Sequence, residues 1–330
     1  MQLTAAELVA LAHGAVRTVQ NGEFTAFYRF TEQQDAHYRA ISPDFFHVRA
    51  QASSNIRIEF LTDAREISFD FRAKQASARN FFSFDIAIDG EATARYLREG
   101  VTADEGHLSF PLPQGKHRVT LYLPNMFSAE LAHVTLAGAT AVTPVKRSRK
   151  MLILGDSVTQ GMDAHCCANS YANKIADLLD ATAVNQGIGG EIFRPAILDG
   201  NIGITPDIVT VAYGTNDYSK RDDSEIFVRE ATAFYRGVRN LFPTAKIFGI
   251  LPIWRGDANA KPRPMGKSFE EAKEIVRAAA ETVGATVIDG DGLVPHSPYC
   301  FDDGKLHPND LGFEHYAKNL YAAMEPYLKD

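Results

Sequence analysis

An antiparallel β-sandwich followed by a doubly wound parallel α/β sheet is the architecture that this 330-residue sequence predicts. Apolar residues alternate with polar ones at period two through most of the first 147 residues, as in half-buried antiparallel strands. From residue 150 onward, short apolar runs alternate with helix-length stretches, the pattern of a parallel sheet with crossover helices. Between them stands Thr143-Pro144-Val145-Lys146-Arg147-Ser148-Arg149-Lys150, a proline followed by a basic cluster, read as a solvated linker. Two domains are therefore expected, 1–147 and 148–330.

Residues 4–13 form a short helix candidate: Thr4 can cap it, Glu7 completes a capping box, and Gly14 ends it. The alternation then begins. Ile56, Ile58 and Phe60 form one set, Ile67, Phe69 and Phe71 the next; Phe82, Phe84, Ile86 and Ile88 follow, then Val119, Leu121 and Leu123. Asp89-Gly90, Glu105-Gly106 and Pro113-Gln114-Gly115-Lys116 supply turns between such runs. In the second half, strands are expected at 151–154, 183–185, 208–213, 246–251 and 286–288. Helices are expected at about 170–180, 222–241, 268–283 and 310–328.

Composition narrows the function. A formal net charge of −7 opposes a nucleic-acid partner, which requires a basic surface. No apolar run approaches the roughly 20 residues of a membrane span, and the N-terminus lacks the basic-then-apolar pattern of a signal peptide. Three cysteines, two of them adjacent, make no disulfide framework, so a cytoplasmic protein is expected. A homo-oligomer stays open.

Four stretches carry chemistry. In Leu152-Ile153-Leu154-Gly155-Asp156-Ser157-Val158-Thr159-Gln160-Gly161, an apolar strand stops at a glycine and lifts a hydroxyl to the carboxyl end of a sheet strand, where open α/β folds place ligands. The plainer reading is a strand-to-helix turn capped by Ser157 or Thr159. Val184-Asn185-Gln186-Gly187-Ile188-Gly189-Gly190-Glu191 is a glycine-rich loop whose N–H groups can approach a ligand. Its spacing does not match a dinucleotide-binding fingerprint. Val211-Ala212-Tyr213-Gly214-Thr215-Asn216-Asp217 places an amide just past a strand; Asn216 could donate to a developing oxyanion or make an Asx turn. Phe301-Asp302-Asp303-Gly304-Lys305-Leu306-His307-Pro308-Asn309-Asp310 brings carboxylates and an imidazole close together, as orienting a general base requires.

In that order, these stretches resemble the SGNH (GDSL) hydrolase superfamily over residues 150–330. Asp156-Ser157-Val158-Thr159 matches the first block, Asn185 with Gly190 the second, and Gly214-Thr215-Asn216-Asp217 the third. Leu306-His307-Pro308-Asn309 matches part of the last. The resemblance implies a flavodoxin-like sheet and a Ser-His-Asp esterase that needs no cofactor or metal. Ser157 would be the nucleophile and His307 the base. The N–H groups of Ser157 and Gly190 and the Asn216 amide would form the oxyanion hole. One position departs: the family's aspartate lies three residues before the histidine, where Gly304 stands here. The loop is read as one residue longer, with Asp303 rather than Asp302 on the imidazole.

Members with an added sandwich are often carbohydrate esterases that remove acetyl groups, and some transfer acyl groups. The expected substrate is a small-molecule or saccharide O-acyl ester. A non-catalytic sugar-binding protein is the competing class, opposed by the presence of Ser157, Asn216 and His307. Asp156, Trp254 and Arg194 are further pocket candidates, Arg194 for an anionic substrate group, against a surface salt bridge. His165-Cys166-Cys167 with Cys300 lacks zinc-site spacing, while His296 and His315 read as structural or solvated.

Overall fold

The computed structural model describes residues 1–258, 260 and 262–329. Its first half contains two antiparallel sheets. One runs in the order Ala12–His13, Arg57–Thr62, His117–Tyr122, Phe81–Ile88, Glu91–Glu99, with Val142–Pro144 paired to Arg57–Thr62. The other runs Arg17–Asn21, Phe24–Tyr28, Phe127–Ala137, Glu66–Gln75, Ala103–Pro111. The period-two residues explain why the sheets face each other. Ile58, Phe60, Val119 and Leu121 from one sheet and Ile67, Phe69, Phe71 and Leu131 from the other share a single buried core.

The second half is a parallel sheet in the order Ala181–Gly187, Arg149–Gly155, Ile208–Ala212, Lys246–Ile250, Thr286–Ile288. Its strands are buried on both faces, so alternate residues serve different cores. Leu152 and Leu154 pack with helices Ser224–Leu241 and Phe269–Glu281. Met151 and Ile153 pack with helices Tyr171–Leu178 and Asp310–Met324. The expected doubly wound architecture is therefore present. The last helix stops at Met324 and continues as a short 3₁₀ turn, Glu325–Tyr327, because Pro326 cannot donate to the helical ladder. Thr4 and Glu7 form both bonds of the expected capping box at helix Ala5–Ala10.

Two expectations are corrected. Residues 31–50 are helical, not part of an all-β half: helix Glu32–Ile41 is followed by a π turn, Pro43–His47, and a helical turn, Val48–Ala50. The overlooked signal was local, since Thr31 and Gln34 form a complete capping box. Nearby Phe30, Tyr38 and Ala50 pack into one core of the parallel sheet, so this segment belongs physically to the α/β half.

Within the basic stretch at 143–150, Lys146 and Lys150 are exposed as expected of a linker, but Arg147 is not solvated. Arg147 is buried, with Glu59 at 2.5 Å and Asp177 at 2.9 Å. Arg57, also buried, reaches Asp177 at 2.6 Å, and the Tyr122 hydroxyl donates to the same carboxylate at 2.8 Å. Burial opposes ionisation of Asp177, yet the two guanidinium groups hold its carboxyl below the usual range. These charges are retained because each has a partner across the junction between sandwich and sheet.

Candidate active site

Ser157 begins a one-turn helix, Ser157–Gln160, directly after strand Arg149–Gly155. The turn is sharp because Gly155 leaves no room for a side chain: a Cβ there would lie 2.0 Å from Thr159 Oγ1 and 2.9 Å from Ala212 O. Asp156 caps the helix, its Oδ1 accepting from Val158 N–H at 3.1 Å. Burial pushes the Asp156 carboxyl up to about 6, against the Val158 bond and the attraction of His307. Asn185 ties the helix to the neighbouring strand, donating to Thr159 O at 2.7 Å and accepting from Gly187 N–H at 2.8 Å.

Ser157 Oγ lies 3.0 Å from His307 Nε2, and His307 Nδ1 lies 2.9 Å from Asp303 Oδ2. Gly304, at φ +71°, supplies the left-handed residue that lets this loop accommodate its extra length. Asp303 Oδ1 accepts the N–H groups of Lys305, Leu306 and His307 at 3.0, 2.7 and 3.2 Å. Partial burial raises its pKa, but the His307 bond and the three N–H groups outweigh that and hold the carboxyl well below the ordinary range. Asp302 faces elsewhere: its carboxylate is 3.7 Å from His165, and its N–H donates to His307 O at 3.0 Å.

A second carboxylate, Asp163 Oδ2, lies 3.8 Å from His307 Nδ1. Asp163, Asp303 and His307 each present a ligand-type atom within 4.8 Å of the others. Yet Arg79 engages both oxygens of Asp163, and Asp303 is committed to His307 and three amides. The trio fits an ion-pair network better than a cation site.

Opposite the imidazole lies the glycine loop. Gly190 adopts φ +83°, and a Cβ there would meet Lys220 Nζ at 3.1 Å and Arg49 Nη1 at 3.2 Å. Arg49 Nη1 donates to Gly189 O, and Lys220 Nζ donates to Gly190 O at 2.5 Å. Arg49 comes from the helical segment at 43–50 and covers the Phe45 ring at 3.6 Å. Its backbone carbonyl accepts from Arg29, which is fully buried and also donates to Ala52 O, Asn185 O and Gly187 O. Burial lowers the Arg29 pKa to about 9.

Asn216 sits in the first turn of helix Thr215–Lys220, with Nδ2 3.5 Å from Asp156 Oδ2. Asp217 faces inward, pushed up to about 6 by burial, and accepts from Phe193 N–H and Arg221 Nε. The arrangement can take a proton from a serine hydroxyl and offer donors to a developing negative charge.

The remaining candidates divide. Trp254 stacks near His296 at 5.5 Å and Phe301 at 5.2 Å, and lines a cleft of about 550 Å³ with Phe269, Lys273, Asp291 and His296. Arg194 is not a free anion receptor, because its Nε and Nη2 both donate to the buried Glu191 carboxylate at 3.2 and 3.1 Å. Arg79, Asp163, Arg49 and Lys220 escaped the sequence reading. No motif flags them, and only the fold brings them to the site.

Residues 153–315 match the model of the GDSL-like lipase/acylhydrolase family. No curated protein matches the sequence. Solved structures share the fold over most or nearly all of the chain. The salicylyl-acyltransferase SsfX3 from a tetracycline biosynthetic pathway is 19% identical with a TM-score of 0.83, covering 99% of this chain and 97% of its own. A Bacteroides ovatus protein described as a GDSL-like lipase is 19% identical, TM-score 0.73, covering 99% and 98%. A family two carbohydrate esterase from Clostridium thermocellum, solved with cellohexaose, is 20% identical, TM-score 0.64, covering 84% and 94%. Residues 153–315 therefore carry a GDSL-like lipase/acylhydrolase domain, and the chain is an ester hydrolase.

Proposed function

We propose that the protein hydrolyses small O-acyl esters, with O-acetyl groups on saccharides as its first substrate class, through Ser157, His307 and Asp303. The observation that supports this reading is the unbroken relay from Ser157 Oγ to His307 Nε2 at 3.0 Å and from His307 Nδ1 to Asp303 Oδ2 at 2.9 Å. A serine hydroxyl is a weak nucleophile unless a base takes its proton during attack. Neutral His307 accepts that proton at Nε2 as Oγ bonds to the ester carbonyl carbon. The tetrahedral oxyanion meets the N–H groups of Ser157 and Gly190 and the Asn216 amide. The bond to the alcohol oxygen then breaks, and Nε2 returns the proton to the departing alcohol. A water molecule, deprotonated by the same nitrogen, releases the acid and restores Ser157. Asp303, anchored by three amides, keeps Nδ1 protonated and stabilises the imidazolium.

The saccharide part of the reading rests on the fold shared with carbohydrate esterases and on the aromatic face of Trp254 in the cleft that it lines with Phe269 and His296. Acyl transfer is the second reading, favoured by the likeness over the whole chain to an acyltransferase. Both pass through the same acyl-enzyme. The test is acetate release from acetylated mono- and oligosaccharides beside p-nitrophenyl acetate, with graded amounts of sugar alcohol added. Acetate release lost in Ser157→Ala supports hydrolysis. Acylated alcohol formed at the expense of acetate supports transfer. Equal turnover by Ser157→Ala overturns the assignment.

A further inference from the structure

The fork between Arg79 and Asp163 crosses from the β-sandwich to the imidazole. Arg79 lies between strands Glu66–Gln75 and Phe81–Ile88, in the antiparallel half. Asp163 lies in the turn after helix Ser157–Gln160, fully buried and at φ +71°, a conformation that Asp tolerates better than most residues. Arg79 Nε donates to Asp163 Oδ1, and Nη2 donates to Oδ2 at 2.8 Å, a bidentate pair. The same Oδ2 stands 3.8 Å from His307 Nδ1.

We propose that Arg79 is a positioning residue for His307: by neutralising Asp163, it leaves Asp303 as the one uncompensated carboxylate at Nδ1. The inference rests on His307 acting as the base. The other charged or titratable groups around the imidazole are Asp303 on its own loop, Asp156 before the Ser157 helix, and Asp302 turned toward His165. Among these, Asp163 alone is held by a guanidinium from the sandwich. A buried carboxylate without that partner would stabilise the imidazolium, and the base would stay protonated to higher pH. A guanidinium without the carboxylate would do the opposite.

The experiment is the pH dependence of kcat/KM for p-nitrophenyl acetate with the full chain and four variants. In Arg79→Met the acid limb is expected to move to higher pH by about one unit, and in Asp163→Asn to lower pH by a similar amount. Arg79→Lys retains the charge and keeps the limb near its original position. The Arg79→Met/Asp163→Asn double variant brings it back toward wild type. Shifts of the same sign in both single variants, or folded variants that lose rate with unmoved limbs, would overturn the proposal. Should Arg79→Met not fold, a fall in Asp163→Asn with no change in Arg79→Lys still supports it, and an unmoved Asp163→Asn overturns it. Wild-type turnover that survives Ser157→Ala overturns the esterase site and this inference with it. Turnover that depends on Ser157 with unmoved limbs overturns only the role of Arg79.

Discussion

The imidazole side of the site takes Asp303 and His307 from one loop, four residues apart, whereas the opposite side gathers Gly190, Asn216, Arg49 and Lys220 from three separate segments. The loop can be built locally, because Asp303 folds it by accepting three successive amides. The other side needs tertiary structure. Arg49 is held at the glycine loop by the helical segment at 43–50, and the buried Arg29 fastens that segment to the end of strand Ala181–Gly187. The difference teaches where each half is fragile. The imidazole side is expected to be sensitive to single functional groups, and the glycine side also to groups that only aim a peptide. Arg49 donates to Gly189 O, which belongs to the same peptide unit as the Gly190 N–H. That bond fixes the plane of the amide and polarises its donor.

Removing the Ser157 hydroxyl is expected to give the largest effect. Ser157→Ala is expected to lower kcat by on the order of 10⁶-fold while near-UV circular dichroism and Tm stay close to wild type. Among the described residues its hydroxyl has His307 as its side-chain partner, so the core does not depend on it. Residual turnover within tenfold of wild type would break the comparison at its root.

Next comes the paired test of the acidic loop. Asp303→Asn is expected to cost about 10⁴-fold in kcat, since an amide neither stabilises the imidazolium nor enforces the tautomer. Asp302→Asn is expected to stay within about threefold, because its carboxylate contacts His165 at 3.7 Å and not the imidazole. The reverse order of damage, read from steady-state kinetics, would reassign the carboxylate.

On the opposite side, Asn216→Ala is expected to lower kcat by about 10²-fold to 10³-fold with little change in KM, the loss of one oxyanion donor at about 3 kcal/mol. Arg49→Met should cost less, about tenfold in kcat, because it removes the aim of a donor and leaves the donor itself. An Arg49→Met loss carried by KM alone would place the guanidinium in substrate binding and end the peptide-aiming account.

The smallest effect is a shape. With Asp303 held well below the usual carboxylate range, it stays ionised throughout the working range. The sign follows: a depressed carboxyl loses its charge only at acid pH far below imidazole protonation. Asp303 is therefore expected to add no limb to the kcat/KM profile between about pH 4 and 9, and kcat/KM rises with pH through the imidazole before levelling. An acid limb that disappears in Asp303→Asn would show that Asp303 titrates there, whereas one that disappears in Asp156→Asn belongs to the buried Asp156 carboxyl.

Ser157, Asn216, His307 and the glycine loop were legible because each sits where a strand ends or a helix begins, and such junctions leave a mark in the chain. Apolar period reveals the strand, and glycine, proline or a capping side chain reveals its end. Asp303 was legible for the same reason, a short loop in which an extra residue had only Gly304 to absorb it. Both cores of the parallel sheet could also be read, from near-continuous apolar runs such as Met151 to Leu154.

What the amino-acid order determined by itself was the antiparallel and parallel halves, the order of the chemical blocks and the candidate residues of the site. Tertiary structure alone decided which charges surround them. Arg147 looked like a solvated linker residue and has its side chain buried against Glu59 and Asp177; for Arg194 the salt bridge, not the anionic substrate group, is the reading that holds, with Glu191 as its partner. Arg79 and Asp163 lie 84 positions apart and meet only because the sandwich packs on the sheet. Periodicity reports which face of an element is apolar, since burial of apolar surface is additive along the chain. The partner of a charge depends on distance in space, and no local pattern encodes it.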